Sequence, residues 1–541
     1  MKTADTAYIN GRVYTADKEF SIRSAFALSG DRFIAAGSDE EIRALCSSQT
    51  KIIDLKGRTV LPGLIDSHLH INNTGAMKLE LDIVGKQKQE IVNMVAKARQ
   101  KAHPGEWIVG RGWLNDEWPD SSFPTKEELD AVCPDFPVYL KRACGHGAWV
   151  NSKAFETVGV TNDTPDPVGG EYLRKPDGSL LGVVTDQAQE PFNKAIPPYG
   201  KEQLQKIVLL AQDEFFSHGL TTVHDAGTDE KWIEAWEELY QKHVLKLRIY
   251  ASMRVIGRPS YDELYSGSMK YFQKGLRIGM YDNRLTARAY KISCDGSLGA
   301  RSAWMLEDYS DQPGHKGNGK WTDEQLYTIL YEARKAGFQT MCHAIGDGAN
   351  RQCLDVYERL LKELPDPDAR LRIEHAQILA PEDIPRFHKL GVIPTHQTVF
   401  LRTDKKVADQ RLGSKRIKGA YAWRTLIDQG NPLPNGTDSP VENCNPFVSM
   451  YCAVTRKDEK GLPENGWHPE QAMTREEALR SYTTWGAYAG FEENLKGSIE
   501  AGKLADFVII DRDLMNCPAE EIKDIQALET VVGGETVYQK A

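Results

Sequence analysis

Short apolar runs alternate with amphipathic stretches through the middle of this chain, the pattern of β-strands traded with α-helices in a parallel α/β fold. One helix is predicted from Glu202 to His218, with Leu204, Ile207, Val208, Ala211 and Phe215 at helical spacing and Gly219 closing it. A second opens with Thr322 and Gln325 as a capping box, buries Leu326, Ile329, Leu330 and Ala333, and stops at Gly337. A third begins after Ala380 with Pro381 in its first turn and ends at Gly391. Strands are predicted at Thr59 to His68, Leu220 to His224, Leu247 to Ser252, Ala287 to Ser293, Phe338 to His343, Leu371 to His375, Val392 to His396 and Leu433 to Asp438. Eight such strands predict a (β/α)8 TIM barrel, whose chemistry sits at the C-terminal ends of the strands.

The two ends of the chain read differently. Before Leu61, β-like runs (Ala7 to Ile9, Arg12 to Tyr14, Arg32 to Ala36) are punctuated by turn pairs such as Asn10-Gly11. Ala505 to Ile510 and Glu529 to Gly534 repeat that style. The expected organisation is one small β-domain composed of residues 1–60 and 495–541, attached to a barrel of residues 61–494. Residues 79–200 are too many for a single strand-to-helix connection and hold β-like runs of their own, Trp107 to Trp113 and Pro137 to Leu140. They are expected to form an insertion after the first barrel strand that roofs the barrel mouth.

Composition narrows the function classes. At 541 residues the chain exceeds one simple core. A net charge of −10 with no basic stripe argues against a nucleic-acid partner. The chain has no apolar signal core at its start and no apolar run long enough to span a bilayer, so no membrane partner and a cytoplasmic location are expected. Nine cysteines without a Cys-x-x-Cys pair read as reduced thiols, most of them small core residues.

The candidate chemistry lies at the predicted strand ends. His68 and His70 are two residues apart, so in a strand their imidazoles share a face and both reach one ion. His343 and His375 each close an apolar run, and neutral imidazoles suit zinc and other first-row ions. Lys291 shares a small, polar face with Ala289, Ser293 and Asp295. A buried amine there has two outcomes: it pairs with Asp295, or it is carboxylated by CO2 and bridges metal ions as an anion; the company of the other ligands favours the second. Asp438, after Gly436, is the carboxylate best placed to touch an ion and take a proton from water. The other histidines, among them His103, His218, His243, His315, His388 and His468, read as surface or core residues.

These segments resemble the amidohydrolase superfamily, in its YtcJ-like, N-substituted formamide deformylase-like branch (amidohydrolase family 3). The resemblance rests on Leu61 to His70, Lys291 with Asp295-Gly296-Ser297, His343 to Asp347, Glu374-His375 and Gly436 to Pro440, and on Gly497 to Phe507 near the C-terminus. It implies a barrel with a composite β-sandwich and one or two divalent ions, zinc being the first choice. The implied ligands are His68, His70, Lys291 (carboxylated), His343, His375 and Asp438. It also implies cleavage of a C–N bond in a small N-substituted amide or formamide, with Asp438 as proton carrier and His146 contacting substrate or oxyanion. Arg111, Trp113, His224, Asp295 and His396 are the expected substrate-lining residues. Cyclic-amide, deaminase or ester hydrolysis on the same site, and a non-catalytic small-molecule-binding regulator, are the alternatives; the resemblance is compatible with a homodimer.

Overall fold

The structure is a computed structural model and describes residues 3–143, 146–167, 169–257 and 259–541. Its contacts divide the chain into a unit of residues 1–71 with 211–541 and a second unit of residues 72–210.

The first unit holds the barrel. Its parallel strands are β1 (Leu64–Leu69), β2 (Leu220–Thr228), β3 (Arg248–Met253), β4 (Leu285–Ser293), β5 (Gln339–Ala344), β6 (Arg372–His375) and β7 (Ile393–Thr395), hydrogen-bonded in that order. The predicted strand Leu433 to Asp438 is instead an extended segment with a single bridge, His396 to Asn435. It still closes the barrel: His396 N–H donates to Pro434 O on one side, while Ser67 N–H donates to Asn435 O and Asp438 N–H to His68 O on the other. Regular pairing fails there because Pro434 has no N–H and Gly436 is pressed onto β1.

The predicted strand Thr59 to His68 is two strands. Thr59–Pro62 pairs antiparallel with Phe507–Ile510 in a six-stranded sheet that also takes Arg12–Tyr14, Ile22–Arg23, Ala527–Val532 and Glu535–Gln539. At Gly63 the chain passes into β1; a Cβ there would lie 2.3 Å from Thr221 Oγ1, so only glycine fits the crossing. A four-stranded sheet of Thr6–Ile9, Ala25–Ser29, Arg32–Gly37 and Lys51–Asp54 packs against the six-stranded one. Phe26 stacks on Tyr8 at 4.7 Å and meets Phe507 edge-on at 5.0 Å, so aromatic rings from both chain ends share one core. The buried pair of Arg248 with Asp506 (2.7 and 2.9 Å) ties the start of β3 to this C-terminal sheet.

The helices follow their end signals. Lys201–Ser217 and Asp323–Lys335 form as predicted, the second with Thr322 and Gln325 in a reciprocal capping box. The third starts later than predicted, at Ile384, after a turn over Pro381 to Asp383, and ends on Gly391 in the left-handed conformation. No helix among the described residues is long and apolar enough to cross a membrane.

The second unit has its own sheet, in the order Tyr172–Arg174, Leu180–Thr185, Gly147–Val150, Val138–Arg142, Ile108–Trp113 and Leu81–Asp82. Apolar clusters pack around it, one centred on Trp113, Trp118 and Trp149 and the other on Tyr139, Phe155 and Phe192.

Gly436 is the tightest test of barrel closure, because a Cβ there would sit 2.5 Å from His68 N and 2.7 Å from His68 O. Gly436→Ala is expected to cost about 1–3 kcal/mol, the usual penalty for forcing atoms into a packed core. A denaturant melt with an unchanged midpoint would show that the closing segment is not held against β1.

Candidate metal centre

The period-2 geometry of β1 places His68 at the strand end and His70 just beyond it. His70 Nε2 and His68 Nε2 lie 3.2 Å and 3.6 Å from the same oxygen, Asp438 Oδ1. Lys291, on β4, brings Nζ to 3.5 Å from His68 Nε2. The His375 ring is 4.9 Å from the His68 ring and 4.4 Å from the His343 ring. All six predicted ligands therefore gather on one rim. His68, Lys291, His375 and Asp438 are buried, while His70 and His343 are partly exposed and form its open side.

Outer partners decide which imidazole nitrogen faces the centre. His68 Nδ1 is hydrogen-bonded to Glu374. Arg372 in turn grips Glu374 with Nε and Nη2 (2.8 and 3.1 Å). His375 Nδ1 donates to Gln397 Oε1 at 2.6 Å. Both rings are thus held with Nε2 free to coordinate, which is how carboxylate and amide partners orient metal-binding histidines. His343 is turned the other way: Nε2 donates to Gly296 O at 3.0 Å, leaving Nδ1 for an ion. Asp66, fully buried, fixes the eighth segment by accepting from Thr437 N and Thr437 Oγ1 (2.6 Å) and from His68 N–H.

The donor set fits a cation. His68, His375 and Asp438 offer ligand atoms that all lie within 4.8 Å of one another. Asp438 Oδ1 is buried, and no donor meets it in hydrogen-bond geometry. Burial drives the His68 imidazole down to about 4, helped by the Lys291 ammonium, and drives His375 well below the ordinary imidazole value. Neutral imidazoles facing a carboxylate repel through their lone pairs unless a cation lies between them. Burial also lowers the Lys291 amine to about 8. Two of the candidate ligands carry backbone strain, His375 at φ +75° and Asp438 at φ +54°, a left-handed conformation that costs energy for these residues and clusters at functional sites.

A profile described as the amidohydrolase family matches residues 51–538. The chain belongs to the amidohydrolase family. Among its relatives, the Arabidopsis thaliana protein LONG AFTER FAR-RED 3 is 33% identical, with 99% of this chain and 92% of that protein aligned. YtcJ of Bacillus subtilis is 30% identical over 98% of this chain and 99% of its own. The N-substituted formamide deformylase of Arthrobacter pascens is 26% identical over 99% and 98%. A metal-dependent hydrolase of Pyrococcus furiosus, known from its crystal structure, superposes with a TM-score of 0.78 at 30% identity, over 94% of this chain and 100% of that one. The family is one of metal-dependent hydrolases built on this barrel.

Several expected substrate contacts of this amidohydrolase need correction. Asp295 spends its carboxylate on the backbone N–H groups of Trp304, Ile345 and Gly346 (3.0, 3.1 and 2.8 Å) and sits 3.3 Å from His343 Nε2. It holds the loops under His343, and it forms no bond to Lys291. His224 is fully buried below the rim, with Nδ1 facing Arg372 Nη1 at 3.0 Å. His396 is buried too, its backbone occupied in barrel closure. Trp113 is a core residue of the second unit, donating from Nε1 to Leu140 O. Arg111 lies exposed on the same strand, 3.8 Å from Met77 Sδ. His146 is exposed, bonded through Nδ1 to Asp186 at 2.7 Å, and lines a cleft of about 880 Å³ in the second unit with Arg142, Thr185 and Glu171. Cys144 and Gly145, which precede it in the predicted motif, lie outside the described residues. Among the described residues eight cysteines stand outside any disulfide, six of them buried, and Cys294, Cys342 and Cys353 pack together at β5.

Glu374 and Asp66 stand out in the sequence only as members of the quoted motifs, and Gln397 carries no signal there at all. Glu374 could have been found from strand alternation, since Arg372 and Glu374 share a face of β6 and a buried acid-base pair inside a barrel points to a site. Glu374→Gln is expected to weaken metal binding about 10–100-fold, the usual cost of losing an outer-shell partner. Titration of the purified variant with zinc measures this, and wild-type affinity would show that His68 is oriented without Glu374.

Proposed function

We propose that this protein is a metal-dependent hydrolase that cleaves the C–N bond of a small N-substituted amide or formamide with activated water. The observation that carries the reading is the convergence of His68, His375 and Asp438 ligand atoms within 4.8 Å around an unsatisfied carboxylate oxygen. The printed activity of the Arthrobacter pascens relative supports the choice of bond. His68, His70, His343 and His375 with Asp438 would hold a divalent ion, and zinc suits this nitrogen and oxygen set. An ion bound there supplies Lewis acidity and brings the ionisation of a coordinated water down to about neutrality.

Lys291 has no carboxylate partner among the described residues, and its amine, lowered to about 8, is partly neutral at physiological pH. We propose that its Nζ lone pair adds to CO2 and loses a proton, giving a carbamate that joins the ligand set. Asp438 takes the proton of the attacking water at a carboxylate oxygen and returns it to the departing nitrogen. The His68 and His375 rings stay fixed by Glu374 and Gln397, so the reacting groups need no reorientation.

The test is a metal-replete assay across N-substituted formamides, acylated amines and cyclic ureas. Turnover of the first two classes is expected. Asp438→Asn is expected to lower kcat by about 100–10,000-fold, the range for a lost general base, while near-wild-type turnover would place proton transfer elsewhere. Bound metal without hydrolysis of any member would favour a small-molecule binder.

A further inference from the structure

Arg254 directly follows Met253, the last residue of β3, on the rim where the metal-ligand candidates gather. Its stem lies against Gly227 near the end of β2: a Cβ at Gly227 would come 2.7 Å from Arg254 Cδ, so that position leaves room for the arginine. The guanidinium reaches the end of β4, with Nη2 at 3.4 Å from Ser293 Oγ. Ser293 stands two residues beyond Lys291 and shares its face of the strand.

Other arginines on the barrel strands have a carboxylate or a ring against the guanidinium. Arg248 holds Asp506 with two bonds, Arg372 holds Glu374 with two, and Arg288 stacks on Phe491 at 3.6 Å. Arg254 has neither a carboxylate partner nor an aromatic ring among the described residues. Neither nearby acid pairs with it: Asp225 accepts the N–H groups of Ile71 and Gly227, and Asp438 turns its carboxylate to His68 and His70, where it would hold the ion. A partly buried guanidinium without an anion is costly, and its planar fork suits a carboxylate.

We propose that Arg254 is a carboxylate-binding subsite, and that the natural substrates are N-formyl or N-acyl compounds bearing a carboxylate near the scissile amide, such as N-acylamino acids. This rests on the amide-hydrolase reading above. The other anion within its reach would be a carbamate on Lys291, which makes metal content a necessary control.

Calorimetry on metal-loaded Asp438→Asn protein, chosen to suppress turnover, would compare N-formylglycine, N-formylalanine and N-formylleucine with their neutral carboxamides. The carboxylates are expected to bind at least about tenfold more tightly, the effect of one charge-assisted hydrogen bond. Adding Arg254→Met should erase that preference with metal content unchanged, and Arg254→Lys should keep part of it. Equal binding of acids and amides, no binding of either, or a preference that survives Arg254→Met overturns the proposal. So does a fall in metal content with Arg254→Met in a protein that never preferred the acids. If the preference is present but the wild-type enzyme hydrolyses neither series, the subsite stands and the amide-hydrolase reading fails.

Discussion

The site depends on a buried charge pair. Glu374 and Arg372 lie fully inside the barrel below the rim, and together they join His68 on one side to His224 on the other. Burying two charges is expensive unless nearly every donor and acceptor is satisfied. Here Arg372 gives two bonds to Glu374, one to Ser67 O and one to His224, while Glu374 also meets the His68 ring. The Arg372 guanidinium and the His68 ring hold the Glu374 carboxyl far below its usual range against the opposing effect of burial. A fixed carboxylate fixes the His68 tautomer, and the tautomer decides which nitrogen faces the centre.

Strain and repulsion are concentrated just above that column. His375 and Asp438 sit in left-handed backbone, and Asp438 Oδ1 faces two imidazole nitrogens without a proper donor. The rest of the barrel enforces this arrangement through Asp66, Gln397 and the hydrogen bonds of the closing segment. A site that is unfavourable on its own and favourable with a cation is pre-organised for one, which is the physical meaning of the donor cluster.

Much of this was legible in the amino-acid sequence because two periodicities are strong. The i, i+2 spacing of His68 and His70 and the apolar runs ending in His343 and His375 fixed both the barrel and the rim residues. What escaped is set by packing between distant segments. Nothing local in Thr59 to His68 shows that Pro62 belongs to one sheet and Leu64 to another; Gly63 is the sole hint, and its role depends on Thr221. His224 and His396 looked like rim residues because they end predicted strands, yet side-chain depth separates a ligand from a residue buried below it. Trp113 read as pocket wall because aromatic residues serve walls and cores alike. Arg254 drew no notice because an arginine after a strand is ordinary until its missing counter-ion is seen.

The central claim is that residues far apart in the chain surround one cation. Diffraction from metal-soaked crystals at the metal absorption edge tests it most directly. An anomalous peak enclosed by His68, His375 and Asp438, with Lys291 density extending past Nζ as a carbamate, is the result expected. A peak only at the Cys294, Cys342 and Cys353 thiols, or no peak near His68 at full metal loading, would contradict it.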